Sequence, residues 1–118
     1  MSETRVYQAL SSLGVDVYPI VAPQDATLPC ITYFVVSERK KQVLDASIWA
    51  LSKRFQVDIW SESYKEAKEL KEQAIGKLVE LEAVDITVRD LFEDDTKIYR
   101  EIIEFYIKES TMNNPFQK

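Results

Sequence analysis

Few residues in this 118-residue chain have the types and spacing that chemistry needs. The one thiol, Cys30, lies between Pro29 and Ile31, with no cation beside it to lower its pKa and no histidine anywhere in the chain to act as its base. That missing residue type is also the commonest metal ligand and general base, so zinc enzymes, Ser-His-Asp hydrolases and Cys-His proteases are excluded on inventory. Cys30 therefore reads as a small buried core residue. The run Glu93-Asp94-Asp95 offers hard oxygen ligands, but its spacing fits no twelve-residue calcium loop, and it reads as an exposed acidic turn. Two glycines, Gly14 and Gly76, are too few for a glycine-rich phosphate loop. Nothing marks a pocket for a pair of catalytic carboxylates. The expectation is a protein without catalytic residues, cofactor or metal.

What remains is surface. Arg39, Lys40, Lys41, Lys53 and Arg54 give one region a basic cast in an acidic chain of net charge −5, suited to phosphate, to an acidic partner or to solvent. Val43, Leu44, Ile48 and Trp49 follow closely, and an apolar cluster on a connecting segment must fold back on its own core or bury against another molecule. Burial against a partner is the preferred reading. Arg39, Lys40, Lys41, Val43, Leu44, Ile48 and Trp49 are thus the candidate interface.

The elements that position these residues follow from periodicity. From about Thr4 to Leu13, Val6, Tyr7, Ala9, Leu10 and Leu13 trace one face of a helix, ended by Gly14. Pro19, Pro23 and Pro29 make Val15–Pro29 an irregular connection, held to the body by Tyr18, Ile20 and Val21. Cys30–Val36 is a β-branched and aromatic strand, and Ala50–Trp60 alternates Phe55, Val57 and Ile59 with Arg54, Gln56 and Asp58. The two form a hairpin, with Glu38–Trp49 a long loop that is mobile in a free subunit. Ser63 with Glu66 is a capping box opening a helix to Leu81, with Tyr64, Ala67, Leu70, Ala74 and Leu78 as its apolar stripe. Val84–Phe92 and Ile98–Lys108 are two more strands, joined by the acidic turn, and Tyr18, Tyr33, Tyr99 and Tyr106 are packing residues.

The expected fold class is α+β, a two-layer sandwich in which two helices pack on a mostly antiparallel four-stranded sheet in the order α-β-β-α-β-β, with a long hairpin loop. At this length one domain is expected, over residues 1–110, with a flexible tail at 111–118. At 46% hydrophobic and 30% charged residues the chain is globular rather than disordered. No apolar run is long enough to span a membrane, so the expectation is a soluble chain made in the cytoplasm. Negative net charge argues against tight nucleic-acid binding, which needs cations against phosphates.

Two stretches resemble a known family. The first is Val17-Tyr18-Pro19, then Ala22-Pro23-Gln24-Asp25-Ala26-Thr27-Leu28-Pro29, leading into Ile31-Thr32-Tyr33. The second is Arg54-Phe55-Gln56-Val57-Asp58-Ile59-Trp60, running into Ser63-Tyr64-Lys65-Glu66-Ala67. Together, with Arg100 and Phe105-Tyr106-Ile107 in the last strand, they are similar to the tail terminator, or tail completion, proteins of siphophages and prophages. The resemblance covers about residues 5–108, and Cys30 stands where an aromatic residue is more usual. It implies a structural virion protein, made in the host cytoplasm and placed in the tail. Six copies would form a ring on the tail tube, stopping tube polymerisation and presenting the head–tail joining surface. Its implied partners are further copies of itself, the tail tube protein and the head–tail connector protein, while genomic DNA passes through the lumen without specific binding. The rival readings are another connector or head closure protein, and a monomeric α+β ligand-binding module.

Overall fold

The computed structural model describes residues 2–43 and 48–111, with side chains described for residues 2–41 and 51–109. The elements run α1 (Ser2–Ser11), β1 (Asp16–Pro19), β2 (Cys30–Val43), β3 (Ile48–Ser61), α2 (Tyr64–Glu80), β4 (Val84–Glu93) and β5 (Ile98–Thr111). The strands form one five-stranded mixed sheet of order β1-β2-β3-β5-β4, in which only the β1–β2 pair is parallel. The α+β class and two-helix layer match expectation, but the sheet has a fifth strand. The missed strand lies in the proline-bearing stretch read as irregular. It is four residues long and sits at the sheet edge, where Pro19 at its end owes no ladder donor.

The core lies between the helices and one sheet face. Ile31 on β2, Phe55, Val57 and Ile59 on β3, and Ile103, Phe105 and Ile107 on β5 pack against Val6 and Leu10 of α1 and Leu70, Ala74 and Leu78 of α2. Phe55 and Phe105 are register partners on the two central strands, their rings stacked 5.3 Å apart and 3° from parallel. Gly14 adopts φ 83°, the left-handed cap that ends α1. At α2 the capping is a relay. Ser63 Oγ accepts from the Glu66 N–H, while Ser61 Oγ accepts from the Ser63 N–H and donates to Glu66 Oε1 at 2.7 Å.

The expected loop over Glu38–Trp49 is mostly strand. β2 and β3 pair from Cys30↔Trp60 out to Val43↔Ile48, and β5 follows β3 to Thr111↔Trp49. Strand length explains the result: 14 residues span about 46 Å, whereas the 17 residues of α2 span about 26 Å, so the sheet overshoots its helical layer. The overshoot is a three-stranded arm, and the molecule measures 54 × 23 × 23 Å. Arm strands have no core to face, so their residues need not alternate and the polar run through Lys41 gave no strand signal. A bulge at Val36 shifts the register between Val35↔Phe55 and Ser37↔Arg54 where the arm leaves the body. Lys53 lies at the base of the arm, buried, with its Nζ 2.7 Å from Glu3 Oε1 on α1 and 3.3 Å from Glu38 Oε1.

One charge cluster lies between α2 and the sheet, with Glu101 as its buried member. Glu101, 1% exposed, sits beside Asp90 and 3.5 Å from Lys68 Nζ, which also pairs with Asp90. Burial pushes the Glu101 carboxyl above its usual range, with the Asp90 carboxylate adding to the effect and Lys68 opposing it. Lys68 holds Asp90 below its usual range.

Two outcomes follow from this packing. Phe105→Ala should cost about 3–5 kcal/mol in urea unfolding, and less than additively when combined with Phe55→Ala, because the two rings share one contact. A raised pKa means that Glu101 favours folding while protonated and loses that contribution as pH rises above 4.5 through its folded-state value. Relative to Glu101→Gln, the wild type should therefore lose stability as pH climbs from 4.5 to neutrality. A pH-independent difference between the two proteins would contradict it.

Candidate assembly surface

The sheet face opposite the helices is polar along its middle and organised by one buried carboxylate. Asp58 on β3, 3% exposed, accepts at Oδ2 from Arg100 Nη2 at 2.6 Å and Nε at 3.2 Å, and at Oδ1 from Gln56 Nε2 at 3.0 Å. Arg100 also lies 4.5 Å from the centroid of the Trp60 ring, and Trp60 Nε1–H donates to Thr32 Oγ1 at 3.0 Å. A buried ion pair earns little net energy, but losing either partner would strand the other. Its effect here is positional, holding Arg100 over the Trp60 ring while Thr32 holds the indole N–H. Further along, Arg54 pairs with Glu104 at 2.8 Å.

Beyond Trp60 the same face carries a pocket of about 300 Å³ between the sheet and residues 20–28. Ile20, Val21, Pro23 and Leu28 line one side, and Cys30, Trp60 and Ile98 the other. Ile20 and Val21 do not pin the connection to the body as expected: they are 74% and 73% exposed. Ile20 also has φ 69°, with the Val21 N–H donating to Pro19 O at 2.7 Å, a positive-φ γ-turn that a β-branched residue adopts only under strain. Cys30 is buried as expected, and burial, with Asp16 adding, raises its thiol pKa, which keeps it protonated and inert.

The candidate interface from the sequence maps to the arm, at the opposite end. Arg39, Lys40 and Lys41 are exposed on β2 and make no ion pair among the described residues. Lys53 and Arg54, grouped with them in sequence, are instead neutralised by Glu3, Glu38 and Glu104. Val43, Ile48 and Trp49 belong to the paired backbone at the arm's end, although their side chains, like the whole of Leu44 and residues 112–118, lie outside the described residues. Sequence reasoning missed the pocket. Its one local signal was Ile20-Val21, an apolar pair in a proline-rich connection with no periodic partner.

The acidic turn after β4 is exposed, with Lys97 3.4 Å from Asp94, and no group of three or more His, Cys, Asp or Glu able to hold a metal occurs among the described residues. No helix among those residues is long and apolar enough to cross a membrane.

Comparison with known proteins agrees with this architecture. In fold the chain is similar to one in the structure described as the virion of native gene transfer agent (GTA) particle, with TM-score 0.66 and 15% identity, over 90% of this chain and 92% of that one. No curated protein matches the sequence. The sequence does match the family described as tail completion protein gp17 over residues 5–108, from within α1 to near the end of β5. On that near-complete match, the chain belongs to the tail completion protein gp17 family.

Proposed function

We propose that this protein is a structural component of a virion tail that closes the end of the tail tube as a homo-oligomeric ring of six copies. The ring ends tube polymerisation and forms the surface on which the head–tail connector seats. The observation that carries this reading is the family match across the two-layer body. Fold likeness to a chain of a gene transfer agent virion supports it. The role is mechanical, with binding surfaces in place of a reactive centre. Its partners are further copies, the tail tube protein and the connector protein, with DNA crossing the lumen unheld. An acidic chain suits that last task, since a lumen poor in unpaired cations does not grip phosphates. The domain spans residues 1–110, assembles in the host cytoplasm and resides in the tail.

A ring closed by rotation needs two different surfaces on each subunit. The arm's apolar residues Leu44 and Trp49 are proposed to form part of one. Replacing both with Asp should abolish rings in native mass spectrometry while the circular dichroism of the monomer is retained. Rings that persist would remove those two residues from the interface.

The role itself is tested on tubes. Purified tail tube protein should stop elongating when this protein is added, and labelled copies should mark one end of headless tails in electron microscopy. Label found only on the portal side of heads would favour the head closure reading. A species monomeric at every concentration and inert towards tubes would favour a ligand-binding module.

A further inference from the structure

The pocket and the arm lie at opposite ends of one 54 Å molecule and carry opposite charge. Around the pocket end stand Asp16 and Asp25, Glu62 after β3, and Asp94 and Asp95 beside Ile98, all exposed. Lys97 pairs with Asp94, which leaves most of that charge unopposed. On the arm, Arg39, Lys40, Lys41 and Lys108 are exposed and outside any ion pair among the described residues. The arm also carries the route to the segment that follows β5, which includes Met112, Pro115 and Phe116.

We infer that the pocket lined by Ile20, Val21, Pro23, Leu28, Trp60 and Ile98 receives the arm end of a second copy of this chain, with Met112–Phe116 of that copy in the pocket and its basic strand residues against the acidic rim. Distance excludes the same copy as donor. Thr111 is about 43 Å along β5 from Ile98, whereas the five residues from Met112 to Phe116 reach at most about 18 Å. Charge complementarity selects a second copy, since each molecule bears both the acidic rim and the basic arm. Ile20 adds a separate argument. A left-handed φ, held by the Ile20 N–H donating to Tyr33 O, presents this isoleucine 74% exposed, and burial of the side chain by a partner would offset part of that cost. This contact supplies the receiving surface for the ring proposed above and rests on that reading.

The test uses the full chain. Ile20→Asn places a residue tolerant of positive φ at the γ-turn and removes the apolar rim. It should leave the thermal midpoint of the monomer unchanged or raised, yet increase the concentration for half-assembly by about tenfold or more. Two charge variants, R39E/K40E/K41E and D94K/D95K, should each assemble poorly alone, because each then sets like charge against like. Mixed in equal amounts they should form rings again, since the reversed arm of one now meets the reversed rim of the other. Wild-type-like assembly by Ile20→Asn, or failure of the mixture to assemble, overturns the inference. A wild type that never forms rings overturns the ring itself, a result that these variants do not produce.

Discussion

β3 is bonded along its length on both sides, to β2 from Val43↔Ile48 to Cys30↔Trp60 and to β5 from Trp49↔Thr111 to Ser61↔Tyr99. A strand paired on both edges cannot slip by one residue without turning Phe55, Val57 and Ile59 away from the helices. That register places the other elements. It sets Phe105 against Phe55, delivers Ser61 to the start of α2, and carries three strands past the reach of either helix. The Phe stack secures the register at the middle of the sheet, where burial is complete.

The two sheet faces divide the work. On the helix side, apolar packing supplies stability and admits charge only where it is compensated, as with Lys53 between Glu3 and Glu38. On the open side, Asp58 and Arg100 hold Trp60 in place and leave the surface beside it apolar and concave. One face makes the subunit fold, and the other is free to meet neighbours.

Much of this was legible in the sequence. The apolar stripe of α2, its Ser63 cap and the alternation around Phe55 are local signals that burial enforces, and each led to the right element. The family resemblance followed from the order of such elements. β1 was illegible because four residues ending in proline carry no period, and its parallel pairing with β2 forms only once the proline-bearing connection between them has turned back. The arm was illegible for another reason: strands without a core face obey ladder geometry alone, so Glu38–Lys41 read as loop. The interface residues Arg39, Lys40 and Lys41 could be singled out by charge, but the pocket could not, because Ile20, Trp60 and Ile98 meet only through the fold.

The bulge at Val36 sits at the junction of body and arm, and an unpaired residue there adds twist to the outer strand. β3 and β5 pass the junction in unbroken register, so the extra residue on β2 sets the heading of the arm by local twist, while Lys53, held by Glu3 and Glu38, ties its base to the body. In the ring proposed above, that heading would set the angle between neighbouring copies. In that proposed ring, a residue gained or lost at the bulge would retune the bore.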